Sequence, residues 1–273
     1  MVMKMIENSF EHSWEDRPFV LSIAGLDPSA GAGLLSDVKC FEQHRVYGFG
    51  VCTALTQQSD DEFLHLQWLD AKEIIDQLQP LCSKFPVKAA KIGLIKDLDT
   101  LLSVLRYLRI QHPAIKIVLD PILKASAGFT FHNHKDDPEQ LIKALKSLNL
   151  ITPNYDELLQ YSRMRDIEVF CRRYASFTPI LLKGGHHPEL KGTDQLFVRN
   201  GHHEIPPGVS NVHQKHGSGC VLSAAITANL GLGHDLLNSC RKAKVYTEHF
   251  LNSNTSLLGY HSRAFGGHYP HQI

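Results

Sequence analysis

Hydrophobic positions along the chain change their period repeatedly, and the changes mark the elements. Residues 19–25, FVLSIAG, form an apolar run of strand length, whereas 33–45, GLLSDVKCFEQHR, carry apolar residues at helical spacing. The exchange recurs downstream. Strand-like GFGVCTALT (48–56) precedes a helix over 71–82, and VKAAKIG (87–93) precedes an amphipathic helix over 99–110. IKIVLDP (115–121) precedes a helix over 137–148. LNLITPN (148–154) and TPILLKGG (178–185) flank a helical stretch over 155–175. Residues 193–205 predict a hairpin, because Asn200-Gly201 supplies the positive φ that tight hairpin turns require. Helices over 217–231 and 235–252 close the pattern. This alternation predicts an α/β fold, a mostly parallel sheet with helices on both faces.

In such sheets ligands bind beyond the carboxyl ends of the strands. Polar and glycine-bearing stretches gather at those ends: GLDPSAGAG, TQQSD, KIG, DPIL, TPNYDE and KGGHH. The length of 273 residues fits one large α/β domain or two small ones, and no linker or repeat divides it. We read one domain over 18–260, with loose tails at 1–17 and 262–273.

Charge narrows the functional classes. Lys+Arg and Asp+Glu balance at 28 each, so no overall field favours nucleic acid or an anionic membrane. The first 18 residues hold acidic side chains and lack the apolar core of a signal peptide. The most apolar run, VLSAAITANLGLG, is far short of the roughly 20 residues a membrane span needs. A cytoplasmic location is expected. Six scattered cysteines without a CxxC pair, and histidines without ligand spacing, argue against a disulfide framework or a zinc site.

Five constellations carry candidate chemistry, and each has a plainer structural alternative. SIAGLDPSAGAGLLSD (22–37) places Gly25, Gly31 and Gly33 before a helix N-terminus, where a backbone can approach a ligand. It lacks both the GxGxxG–acid pattern of dinucleotide folds and the Gly-Lys-Ser/Thr of a P-loop. HGSGC (216–220) opens an apolar helix whose first N–H groups, at Gly217, Ser218, Gly219 and Cys220, would form an anion site; tight packing of small residues is the alternative. Lys183 in ILLKGG can pair with phosphate or sit at a solvated turn. Asn154 and Glu157 in TPNYDE can organise Mg²⁺ through water, or simply form a capping box. Asp120-Pro121 offers a carboxylate at a strand tip, or an ordinary turn opener.

In their order and spacing, AGLDPSAGAG, TALTQQ, KIGL, VLDP, TPNYDE, LLKGG and HGSGC resemble the hydroxymethylpyrimidine/phosphomethylpyrimidine kinases of the ribokinase superfamily. The resemblance runs from about Phe19 to about Leu251. It implies a ribokinase-like three-layer sandwich with a small β lid, a homodimer, and ATP and Mg²⁺ as cofactors. It implies phosphorylation of 4-amino-5-hydroxymethyl-2-methylpyrimidine and then of its monophosphate. By position, Gln58 would contact the pyrimidine, and Gly25, Asp27, Ala32, Asp37 and Leu94 would line its pocket. Lys183 and Asn154 would serve ATP, Glu157 and Asp120 the metal, and Gly217, Ser218 and Gly219 the anion hole beside catalytic Cys220. A helix-terminal cysteine is expected to have a lowered pKa, so its thiolate would take the alcohol proton.

The chain departs from the family pattern at Ser218, at Ala30 in SAGAG, at Ser126 in ASAG, and in QQSD (57–60), which lacks an asparagine beside the pyrimidine. The last two leave a pyridoxal-type substrate open. Two other classes compete, a dinucleotide-dependent oxidoreductase and a vitamin-binding module without turnover.

Overall fold

The computed structural model describes residues 17–122, 138–162, 167–186 and 189–262. The expectations placed on the terminal tails beyond these residues, and on Ser126, lie outside them. The strands are β1 (Phe19–Leu26), β2 (Tyr47–Gln58), β3 (Phe63–Trp68), β4 (Val87–Ile92), β5 (Lys116–Leu119), β6 (Leu150–Ile151), β7 (Ile180–Leu182), β8 (Asp194–Val198) and β9 (Gly201–Ile205). They form one sheet in the order β3-β2-β1-β4-β5-β6-β7-β8-β9. Pairing is parallel from β2 through β7 and antiparallel at both margins.

Both faces of the parallel block are covered, which is why its strands read as continuous apolar runs. Neighbouring residues point to opposite cores. Val20 packs with α1 (Gly33–Gln43), α7 (Ser218–Gly231) and α8 (Leu236–Leu251). Leu21 packs instead with α2 (Ala71–Lys84), α3 (Leu98–Gln111) and α4 (Pro138–Lys146). A smaller cluster joins α5 (Tyr155–Ser162) and α6 (Ile167–Tyr174) to β7 and β8. Helix α7 is buried along Cys220–Leu230, between the sheet, α1 and α8. Two of its polar side chains are satisfied within the helix: Thr227 donates to the Ser223 carbonyl and Asn229 to that of Ala225.

The structure differs from the sequence reading in three places. Strand β3 was not foreseen. It pairs antiparallel with the end of β2 after a turn in which Ser59 N–H donates to the Glu62 carbonyl. The helical stretch over 155–175 holds two helices, α5 and α6, with 163–166 outside the described residues. The hairpin forms around Arg199-Asn200, yet neither Asn200 nor Gly201 has positive φ. Among the described residues that conformation falls at Ala30, Arg45, Gly33, Gly192, Gly217 and Gly233.

One ion pair lies wholly inside. Lys91, in β4, donates to Asp37 on α1, and both side chains are fully buried. Asp37 also accepts from the Ser22 hydroxyl, and Lys91 reaches the Cys220 carbonyl at 3.4 Å. Burial works against the ammonium's charge, but Asp37, with Cys220 and Asp120 beyond it, holds Lys91 well above its usual range. Removing one partner of such a pair strands the other. Lys91→Met should therefore cost about 3–5 kcal/mol in urea unfolding, and Lys91→Met with Asp37→Leu should recover most of it.

Candidate active site

The strand order reverses at β1, whose neighbours are β2 on one side and β4 on the other. A cavity of about 230 Å³ opens there, beyond the carboxyl ends of the strands. Its walls are Gly25 near the end of β1 and Asp27 just after it, Thr56 and Gln58 on β2, Leu94 after β4, and Asp120 and Ile122 after β5. Asn154 and Glu157 follow β6, Lys183 and Gly185 follow β7, and His216 to Cys220 lead into α7. Ala32 and Gly33 complete it at the start of α1. Every residue to which the resemblance assigned a role lines this cavity except Asp37. That carboxylate lies beneath it, committed to Lys91 and Ser22, because a charge on the inner face of α1 needs partners inside the protein.

The glycines serve the approach of one loop to another. Gly33 has φ +57, and a Cβ there would stand 2.4 Å from the Gly25 carbonyl oxygen. Gly217, the N-cap of α7, has φ +74, and its Cβ would stand 2.2 Å from the Gly31 carbonyl oxygen. The N-termini of α1 and α7 are thereby pressed together. Ala30 takes the left-handed conformation with φ 55 at a position where the family pattern has glycine. Such a conformation costs an L-residue roughly 1–2 kcal/mol.

First-turn N–H groups of α7 have no acceptor within the helix, which leaves Ser218, Gly219 and Cys220 able to receive an anion. Beside them stands Lys183, whose ammonium would lie 3.3 Å from a Cβ at Gly219. Lys183 donates to Asp120 Oδ1 at 2.8 Å and lies 3.8 Å from Glu157 Oε2. Burial opposes its charge, but Asp120 and Glu157 prevail and hold it well above the usual lysine range.

Two expectations about the carboxylates change. Asp120 accepts from Lys183 and Thr152 on one oxygen and from the Ser223 hydroxyl on the other. Both oxygens are thus engaged by the protein's own donors, a different surrounding from the open carboxylate at a strand tip that was expected. Asn154 and Glu157 form a reciprocal capping box: Glu157 N–H donates to Asn154 Oδ1 at 2.8 Å, and Asn154 N–H to Glu157 Oε2 at 2.6 Å. The plainer reading of TPNYDE is thus realised, although both residues also face the cavity. Asp27 faces it too, but its oxygens accept from Ser29, Ala32 and His216. Burial alone would raise the Asp27 carboxyl; those bonds overcome it and keep the group below its usual range.

Cys220 also departs from expectation. Burial pushes its thiol up to about 11; Lys91 opposes this, and Asp120 and Asp37 add to it. Desolvation, together with two buried carboxylates, outweighs the positive helix end. On the opposite wall, Gln58 donates its amide to Thr56 Oγ1, which itself donates to the Leu26 carbonyl. Ser59, which stands where the family pattern has asparagine, is absent from the cavity walls and donates to Asp61. Thr56 and His216 were quoted within motifs without a role, although both are cavity residues.

The phosphomethylpyrimidine kinase family model matches residues 27–264. The chain belongs to this family. A hydroxymethylpyrimidine/phosphomethylpyrimidine kinase of Rhizobium meliloti (strain 1021) is 32% identical over 237 residues, covering 83% of this chain and 87% of that protein. The crystal structure of phosphomethylpyrimidine kinase from Clostridium difficile 630 is similar at TM-score 0.70 and 27% identity, covering 85% of this chain and 98% of that one. Staphylococcus aureus pyridoxal kinase in complex with AMP-PCP and pyridoxal matches at TM-score 0.72 and 24% identity, over 87% and 88% of the two chains, a likeness of fold. Both neighbours share the ribokinase-like α/β architecture described above.

The raised thiol can be measured directly. Peptide-resolved alkylation of Cys220 by iodoacetamide should accelerate about tenfold per pH unit from pH 7 to 10, without the plateau near 8.5 of an ordinary cysteine. A plateau at or below pH 8.5 would contradict the buried, neutral thiol.

Proposed function

We propose that the chain phosphorylates 4-amino-5-hydroxymethyl-2-methylpyrimidine, and then the monophosphate, with ATP as phosphoryl donor. The observation that carries this reading is a convergence. Lys183 and the first turn of α7 meet at one end of a cavity whose opposite wall presents Gln58 and Leu94. Family membership supports the substrate class.

Phosphoryl transfer depends on positioning and charge neutralisation more than on covalent work by the protein. The substrate's hydroxymethyl oxygen forms a bond to the γ-phosphorus as the bond to the ADP oxygen breaks. Charge on the transferring oxygens is met by the N–H groups of Ser218, Gly219 and Cys220 and by Lys183. An entering phosphate competes with Asp120 for Lys183, so the resting ion pair stores a cation for the nucleotide. Glu157 fits a water-mediated Mg²⁺, which when bound would neutralise phosphate charge.

Cys220 has a task only in the first step, where an alcohol proton must leave. The second nucleophile is already a phosphate anion. Since the resting thiol is protonated, base catalysis requires its prior ionisation, and the active fraction grows as pH climbs toward about 11.

Single-domain organisation over 18–260 is part of the proposal, supported by the continuous sheet. So is a cytoplasmic location; no described helix is long and apolar enough to cross a membrane. A homodimer is supported by Leu55 and Leu64, exposed near the β2–β3 margin. Sedimentation should give twice the 30.7 kDa chain mass, and a monomer at micromolar concentration would remove that part. A second reading, a pyridoxal-type kinase, draws on Ser59, which leaves a pyrimidine one side-chain contact short.

ADP formation should require a pyrimidine substrate: expected with hydroxymethylpyrimidine and its monophosphate, and weaker with pyridoxal. Turnover of pyridoxal alone would move the assignment to the second reading. For the alcohol substrate, kcat should rise with pH across the alkaline range. Cys220→Ala should flatten that profile and lower kcat by about 10²–10⁴, while the monophosphate step stays near wild type. Equal loss in both steps would remove the base role.

A further inference from the structure

His216 precedes the anion-hole loop and is 4% exposed. Its Nε2 lies 2.8 Å from Asp27 Oδ2, across 189 positions of sequence. The same Asp27 oxygen accepts from the N–H of Ala32, the N-cap of α1. Asp27 Oδ1 takes the Ser29 N–H and Oδ2 the Ser29 hydroxyl, so the carboxylate organises the whole turn after β1.

A carboxylate held below its usual pKa range is ionised, and it accepts from Nε2–H. The other ring nitrogen, Nδ1, is buried without a hydrogen-bond partner among the described residues. A buried polar atom left unpaired costs about 1–3 kcal/mol. A hydrophobic side chain of similar volume would avoid that penalty, so bulk alone does not account for histidine here. What histidine adds is one N–H at the right reach.

The imidazole is also fixed on its remaining sides. A Cβ at Gly31 would stand 2.6 Å from His216 Cδ2, and the His216 main-chain N–H donates to the Leu257 carbonyl. The preceding Lys215 ammonium donates to the carbonyls of Asn254 and Ser256. The ring therefore spans the two loops that meet the two halves of the reaction. One carries Gly25 and Ala32 beside the pyrimidine wall; the other carries Gly217 to Cys220 at the phosphoryl end.

We propose that His216 is a positioning residue which, through Nε2–H and Asp27, locks the acceptor-side loop to the anion hole, so that filling one half of the cavity sets the geometry of the other. The acceptor and donor labels rest on the kinase reading above; the lock itself does not. Misplacement by about 1 Å can slow an oriented reaction by about 10²-fold.

Three proteins test it: wild type, His216→Leu, which keeps bulk and loses the donor, and His216→Gln, whose amide N–H reaches toward the Nε2 position. Amide hydrogen exchange, read without any ligand, should rise at least tenfold at Ala32 and across Gly217–Val221 in His216→Leu. It should return toward wild type in His216→Gln. Titration of hydroxymethylpyrimidine with and without a non-hydrolysable ATP analogue should show mutual enhancement that falls at least tenfold in His216→Leu and is restored in His216→Gln. Equal exchange in all three proteins, or Leu and Gln variants impaired alike, would overturn the lock. If wild type binds neither ligand, the kinase reading fails instead, and the exchange experiment still decides the role of His216.

Discussion

Asp120 joins three parts of the molecule at one carboxylate. It extends from the end of β5, receives Lys183 from the end of β7, and accepts the Ser223 hydroxyl from α7. Strand tips and helix start are thereby joined by direct hydrogen bonds. Burial works against the charge on Lys183, and Asp120 and Glu157 together more than offset it. A site built to receive an anion holds several positive groups close together, and a buried carboxylate makes that arrangement tolerable while the anion is away.

The same logic recurs one layer deeper, where Asp37 faces Lys91 beneath the first turn of α7. Lys91 also touches the Cys220 carbonyl, so the deeper pair supports the turn from below while Asp120 supports it from the side. Each carboxylate has a lysine ammonium as its partner. The acids of this site work mainly on the protein's own cations, and their effect on Cys220 is to keep its proton in place.

Much of this was legible in the sequence, for identifiable reasons. Strands buried on both faces read as apolar runs, and turns at their carboxyl ends read as polar and glycine-rich clusters, so the parallel block and the cavity walls could be placed. Strand β3 was missed because FLHLQW lies at an exposed margin, where alternation is weak: Leu64 and His65 are both exposed. Asp37 and Cys220 were misjudged because their states follow from what lies behind them. Spacing along the chain reports that a side chain is near a loop; it does not report that Lys91 stands underneath. Asn200-Gly201 predicted a hairpin that exists, with a turn conformation that does not. His216 sat inside a quoted motif, and its partner Asp27 inside another, but nothing local joins them.

The short segment after α8 holds the site from behind. Carbonyls of Asn254, Ser256 and Leu257 hold Lys215 and His216 from behind. The loop before α7 therefore acquires its last supports from residues translated some forty positions later. Support for the loop that leads into the first turn of α7 thus comes from the far end of the described chain, beyond the last strand and the last helix.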